Sequence, residues 1–298
     1  MKTYLDCIAC FVRQSLEAAR LVSDDPALAE RVLRDVLAEA AAMRLDEPPP
    51  LMGQRIHRFI RQAAGSDDPY RDIKRRQNAM AMRLAERIRP EIEAADDPFA
   101  AAVRSAIAGN VIDLGVAAHE IVETQIVEEL ERCLHAPLAG EPVAALAAAV
   151  ERAERVLYIA DNAGEIALDR LLIERLPTDR LTLAVRGGPI INDVTREDAA
   201  AVGLDALVPI IDNGTDMPGC WLPACSASFR QTFEAADVVI AKGQGNYETL
   251  SDADQTIFFL LKVKCPVIAR HAGVELGRMM MLAQYGSQTP AAAPGGGS

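Results

Sequence analysis

Arg155-Val156-Leu157-Tyr158-Ile159-Ala160-Asp161-Asn162-Ala163-Gly164-Glu165 is the stretch that decides the fold. Five apolar residues in a row run straight into an Asp-Asn turn with one glycine, and the helical pattern EIALDRLLIERL follows. This reads as a strand buried on both faces that ends in a polar loop at a helix start. Working outward, the same texture recurs downstream in LTLAVRG, TREDAAAVG, ALVPIID, SFRQTFEAA, DVVIAKG, and finally IFFLLKV with PVIARHA. Five or six short strands alternating with helices imply a mainly parallel, Rossmann-like sheet covered by helices on both faces.

Upstream the pattern changes. From residue 4 to about 136, apolar positions recur three and four apart, as in FVRQSLEAARLV, ALAERVLRDVLAEAAAM and AMAMRLAERIRPEIEAA. Helices broken at Pro48-Pro49-Pro50 and at Asp67-Asp68-Pro69 are expected, since proline cannot continue the hydrogen-bond ladder. The segment HAPLAGEPV, residues 135 to 143, is the natural boundary. The expected fold class is therefore α/β. An all-helical domain over residues 1–140 precedes a three-layer α/β/α domain over 141–285, and a low-complexity tail over 286–298 is too poor in apolar residues to pack.

With 298 residues, half of them hydrophobic and a quarter charged, the chain has ample core for such a structure. The formal charge of −12 opposes binding to a phosphate backbone, so no nucleic-acid partner is expected. No apolar run approaches the ~18 residues of a membrane span. The amino-terminal MKTYLDCIACFVRQ has no secretory pattern, which points to the cytoplasm. No feature sets an oligomeric state.

Six cysteines in this setting are read as thiols. Cys7 and Cys10 share a helix face, which suits either burial or a metal or redox role. Cys220 and Cys225 could complete a metal site only by folding against that first helix. His57, His119, His135 and His271 are scattered without ligand spacing, and core packing is the default for Met279-Met280-Met281. The run RDIKRRQ, residues 71 to 77, reads as a solvated helix face; a less favoured alternative turns Lys74 and Asn78 toward a cleft.

In open parallel sheets, ligands bind beyond the carboxyl ends of the strands, where loops and helix amino termini converge. Four loops fall there: Asp161 to Glu165; Arg186 to Thr195, which contains Asn192 and Asp193; Asp212 to Asp216; and Lys242 to Glu248. Each alone is an ordinary strand-to-helix turn. Together, Asp161, Asn162 and Asp193 form an oxygen-only set suited to a hard divalent ion, Gly164 and Glu165 open a helix that can receive an anion, and Lys242 is a point charge suited to phosphate.

The same blocks resemble the ARMT-like damage-control phosphatases, a family long catalogued as a domain of unknown function. So do Asp68-Pro69-Tyr70 with Lys74 and Asn78, and the block Ala108 to Asp113. The Cys7/Cys10 pair resembles the family's mainly prokaryotic branch, and the resemblance runs to about residue 283. It implies a divalent-metal-dependent phosphatase acting on small phosphorylated metabolites, either damaged or surplus sugar phosphates or phosphopantetheine-type compounds, with Mn²⁺, Co²⁺, Ni²⁺ or Mg²⁺. Carried over, Asp161, Asn162 and Asp193 would hold the metal, and Lys242 would contact the transferred phosphate. Asn110 and Asp113 would reach the cleft from the helical half, with Glu165, Arg186, Gly164 and Asn192 as further substrate-side residues. The chain departs from the family pattern at Pro218-Gly219-Cys220-Trp221, where a small polar residue often follows the glycine.

Two other readings remain. An S-adenosylmethionine-dependent carboxyl methyltransferase would place a glycine-rich turn directly after the first strand, whereas this turn, DNAGE, has one glycine. A noncatalytic metal- or metabolite-binding module would use the same oxygen-rich loops without turnover.

Overall fold

The computed structural model describes residues 1–109 and 123–287. The first half is helical, as its apolar spacing requires: α1 (Leu5–Val22), α2 (Pro26–Ala42), α3 (Pro49–Ala64), α4 (Arg71–Ala94), α5 (Pro98–Ala108) and α6 (Glu123–Leu134). Prolines open helices here as well as separate them. Pro26, Pro49 and Pro98 stand in first turns, where a missing N–H leaves no bond unmade. Asp25 and Asp97 cap α2 and α5 by accepting from the amides of Ala27 and Ala100.

The second half alternates strand and helix: β1 (Ala139–Gly140), α7 (Val143–Arg152), β2 (Val156–Ile159), α8 (Glu165–Ile173), β3 (Leu181–Val185), α9 (Arg196–Ala201), β4 (Ile210–Asp212), α10 (Ala227–Ala235), β5 (Val238–Lys242), α11 (Gly243–Leu250), β6 (Ile257–Lys262), α12 (Pro266–Ala272) and β7 (Met279–Gln284). One sheet holds seven strands in the order β1-β7-β6-β5-β2-β3-β4. Every pairing is parallel except β6 with β7. The count exceeds the five or six expected because β1 is only two residues long and β7 is built from the methionine run. PVIARHA is a helix, started by Pro266 in its first turn and ended by Gly273 in the left-handed region.

Strand alternation divides the core in two. Val156 and Tyr158 of β2, Ile240 of β5 and Phe258 of β6 join Leu84 and Ile88 of α4, Ile107 of α5 and Leu130 of α6 on one face. Leu157, Ile159, Val239 and Phe259 join Phe11 of α1, Val32 of α2, Ile56 and Ile60 of α3 and Phe229 of α10 on the other. The sheet is thus covered on both faces, as parallel strands with continuous apolar runs require. Both cores cross the boundary expected near residue 140, so helices α1–α3 and α4–α6 supply parts of opposite outer layers. Among the described residues, no helix is long and apolar enough to cross a membrane.

Candidate active site

The chain order decides where the site lies. From β2 the chain moves outward through β3 to β4, then returns to β5 on the opposite side of β2 and continues outward to β6. The carboxyl ends of β2 and β5 therefore flank the switch point, where the two sets of loops diverge and leave a crevice. Asp161 follows β2, Lys242 ends β5 and Gly243 opens α11. Gly243 has φ 76°, and a Cβ placed on it would collide with the carboxylate of Asp161. Glycine is required there both for the backbone conformation and for the close approach.

The loop after β3 folds back over the end of β2. The Val194 amide donates to the Asp161 carbonyl (2.9 Å) and the Ala163 amide to the Asn192 carbonyl (2.7 Å). Asn162 and Asp193 pair as an isolated antiparallel bridge. These backbone bonds bring Asp193, distant along the chain, to the adjacent Asp161 and Asn162. Ile191, just before Asn192, has φ 45°, strained for a β-branched residue and the sole non-glycine positive φ among the described residues.

Arg186, at the end of β3, is the buried fork that holds the two carboxylates together. Its Nε donates to Asp193 Oδ2 (2.6 Å), Nη2 to Asp161 Oδ1 (3.5 Å) and Nη1 to the sulfur of Cys220 (3.5 Å). Burial alone would lower its pKa. The charges of Asp193, Cys220 and Asp161 overcome that and raise it. Arg186 was expected on the substrate side; the geometry makes it an organiser of the carboxylates.

Below these groups lies a fully buried ammonium. Lys242 Nζ donates to Glu165 Oε1 (2.5 Å), Asp169 Oδ1 (2.6 Å) and the Ala106 carbonyl of α5 (2.7 Å). Those three acceptors match the three donors of an ammonium. Glu165 and Asp169 are four apart on α8, hence on one face. Burial would lower the Lys242 pKa, but the two carboxylates raise it. Burial pushes Asp169 up to about 7 against the pull of Lys242. Asn162 Nδ2 donates to Asp161 Oδ2 (2.9 Å) and lies 3.4 Å from Glu165 Oε2. In this arrangement Lys242 therefore acts on the site through Glu165, rather than offering an N–H to a phosphate.

A second network ties the helical half to both loops. Asn78 on α4 accepts the Gly164 amide (2.7 Å) and donates to Asp198 (3.0 Å), while Lys74 pairs with Asp198 (3.1 Å) and Asp68 (3.0 Å). Asp198 also takes the Thr195 amide and hydroxyl in the capping box of α9. The solvated-face reading of residues 71 to 77 is corrected at Lys74, which is 2% exposed. With Asn78 it faces inward, because buried carboxylate and amide partners await both. Since Asn78 takes the Gly164 amide, and Ala163 and Ile166 amides bond to Asn192 and Asn162 carbonyls, the turn before α8 turns most of its donors inward.

Sequence reading missed Asp169 and Asp198, and gave Asn213 no role of its own. A second acid four residues after Glu165 on an otherwise apolar helix was the available signal for Asp169, and the Thr195-to-Asp198 spacing was a signal for Asp198. Asn213 lies in the Asp212-to-Asp216 loop that the sequence singled out: its Oδ1 accepts from the Gly187 and Thr215 amides and its Nδ2 donates to the Cys220 sulfur (3.4 Å). From α3, Gln54, Arg58 and Arg61 all hold Asp216, and Arg61 also bonds the Pro189 carbonyl. Asn110 and Asp113, expected in the cleft, and His119 lie outside the described residues.

Two carboxylates and the Asn162 carboxamide supply oxygen donors of the kind a hard divalent ion takes. The residues present thus fit such an ion. Among the described residues, no three His, Cys, Asp or Glu side chains gather around one point, so Cys7 and Cys10 lack the companions a zinc site needs. Cys7 is buried in α1, Cys10 half-buried, and the Cys220 sulfur is directed to Arg186 and Asn213.

A family model described as the damage-control phosphatase ARMT1-like domain matches residues 3–280. A damage-control phosphatase of Pyrococcus horikoshii is 36% identical over 288 residues, covering 95% of this chain and 98% of that protein. A damage-control phosphatase of Archaeoglobus fulgidus is 34% identical over 282 residues, covering 92% and 96%. The crystal structure of a DUF89 family protein from Pyrococcus horikoshii superimposes with a TM-score of 0.86 at 34% identity, over 95% of this chain and 99% of that one.

Proposed function

The chain belongs to the damage-control phosphatase ARMT1-like domain family, and from that premise we propose that it is a divalent-metal-dependent phosphatase hydrolysing phosphomonoesters of small metabolites. The observation that carries this reading is the pairing of Asn162 with Asp193 beside Asp161, which collects three oxygen-bearing side chains at the switch point of the sheet. Asp161, Asn162 and Asp193 would hold the ion, with Mn²⁺, Co²⁺, Ni²⁺ and Mg²⁺ as candidates. Bound there, the ion supplies neutralisation of the charge on the phosphoryl oxygens.

The protein's own groups do the rest. Arg186 fixes the spacing of Asp161 and Asp193, so neither carboxylate has to reorganise when charge develops. Asn162 ties Asp161 to Glu165, and Lys242 holds Glu165 from below. Asn192, Gly164, Asn110 and Asp113 are the remaining groups proposed for the substrate side. Damaged or surplus sugar phosphates and phosphopantetheine-type compounds are the proposed substrate class. Six unpaired cysteines favour a cytoplasmic setting.

The test is hydrolysis of p-nitrophenyl phosphate by metal-stripped protein to which single divalent ions are restored, beside Asp161→Ala and Asp193→Ala. Ion-dependent release lost in both variants is the expected result. Release without any ion, or undiminished in both variants, overturns the reading. Asp161→Asn separates two roles: if it binds the ion normally but does not turn over, Asp161 is more than a ligand.

A further inference from the structure

Behind Arg186, on the side away from the two carboxylates, sit two thiols that the proposed phosphatase reaction does not use. The Cys220 sulfur receives N–H groups from Arg186 (3.5 Å) and Asn213 (3.4 Å), while the nearby Cys225 thiol donates to the Trp221 carbonyl (3.4 Å). Two N–H donors converging on one sulfur, one of them from a buried cation, are a setting for a thiolate; a thiol packed only for its volume would have apolar neighbours. The two residues are joined by Trp221 and a single 3₁₀ turn, Leu222–Ala224, and are buried in the same core. Trp221 and Leu222 beside them are only half-buried, so a small opening of this turn admits a small solute.

We propose that Cys220 and Cys225 are a redox-modification site, a dithiol that a peroxide closes to a disulfide next to Arg186. In the first step the Cys220 thiolate attacks a peroxide oxygen; the O–O bond breaks, Cys220 becomes a sulfenic acid, and the leaving oxygen takes a proton and departs as water when the oxidant is hydrogen peroxide. In the second, the Cys225 sulfur attacks the sulfenic sulfur, the S–O bond breaks, and the Cys225 proton leaves with the hydroxyl as a second water. Two thiols lose two electrons and one peroxide gains them. The surroundings support the direction of attack: burial would raise the Cys220 thiol, but neighbouring Cys225, Arg186 and Asn213 bring it down to about 7, while the nearness of Cys220 and burial raise Cys225.

Closure turns the Cys220 sulfur from Arg186 toward Cys225 and removes its negative charge. Arg186 then keeps its carboxylate partners but loses the group that fixes its third arm. Resting on the phosphatase reading, the disulfide is expected to lower turnover reversibly; the cross-link itself does not depend on that reading.

The experiment treats the native full chain with hydrogen peroxide, blocks remaining thiols with iodoacetamide after denaturation, and maps peptides without reduction. A linked Cys220–Cys225 peptide, a mass loss of about 2 Da and recovery with dithiothreitol are expected. Cys225→Ser should instead yield a sulfenic acid at Cys220 that dimedone traps. Oxidation confined to Cys7, Cys10, Cys133 or Cys265, with Cys220 and Cys225 still alkylated, overturns the proposal, as does a link that forms only after the chain is unfolded. Turnover of p-nitrophenyl phosphate should fall in proportion to the cross-linked fraction; full turnover by fully cross-linked protein overturns the coupling to Arg186. A chain with no hydrolysis in any redox state would count against the phosphatase reading alone.

Discussion

Gly243 stands so close to Asp161 that a side chain at position 243 would occupy the place of the carboxylate. Alanine there meets two penalties, a positive φ that costs roughly 1 kcal/mol and a displaced Oδ2. A shift of about 1 Å at a reacting group can cost about a hundredfold in rate. Gly243→Ala is accordingly expected to lower kcat/KM for p-nitrophenyl phosphate by about two orders of magnitude while the melting temperature falls by only a few degrees. Unchanged turnover would detach Asp161 from the chemistry.

Arg186 bonds Asp193 and Asp161 through different nitrogens of one planar fork. Lysine keeps the charge but offers a single point, so it can hold one carboxylate well and the other poorly. Arg186→Lys is expected to weaken ion-dependent activation about 10- to 100-fold. Titrating activity against Mn²⁺ reads this out, and an unmoved midpoint would show that Arg186 serves packing alone.

Lys242 is fully buried between Glu165 and Asp169. Removing one partner of a buried pair strands the others, a loss of about 3–5 kcal/mol. Lys242→Met should therefore unfold at markedly lower urea. Lys242→Met with Asp169→Asn should recover part of that loss, because the second change removes one stranded charge. Additive losses in the double variant would mean that the two groups do not interact.

The sheet and its loops could be read from the chain because buried strands announce themselves as apolar runs, and four of them end in polar glycine-bearing turns. Asp161, Asn162, Asp193, Lys242 and Glu165 were all legible that way. Their partners were less so. Which carboxylate a buried lysine chooses depends on how α8 packs against β5, a relationship between positions 73 and 77 residues apart. The inward turn of Lys74 was only the less favoured alternative for the same reason: in a run of charged residues nothing local distinguishes the one with a buried Asp198 waiting for it. Strand β1, two residues long, has too little sequence to carry a period.

Asn78 links the Gly164 amide of one site loop to Asp198 in the first turn of α9, just after the other. Alanine would leave the Gly164 amide buried and unmet and take one donor from Asp198, at about 1–3 kcal/mol, and would free the two segments to move apart. Asn78→Ala should lower both urea stability and turnover. Arg75→Ala, on the same helix but pairing with Glu197 at the exposed surface, should change neither measurably. Equal effects of the two would remove the special role of Asn78.

His57 lies buried on α3 with Nδ1 3.1 Å from the Tyr70 hydroxyl. Burial, aided by the charge of Arg61, depresses its pKa from 6.5 to about 3. Between those values the unfolded chain binds a proton that the folded chain refuses, so acid favours unfolding there; above pH 6.5 neither state is protonated and the effect is absent. The loss as pH falls from 6.5 toward 3 is at most about 4 kcal/mol from this group, at about 1.4 kcal/mol per unit. His57→Gln keeps a polar partner for Tyr70 but carries no titrating proton. Its stability should therefore decline less steeply than the parent's over that window, with the gap between the two curves changing most between pH 6.5 and 4. Parallel urea-denaturation curves for the two proteins at every pH in that range would show that His57 is protonated alike in both states.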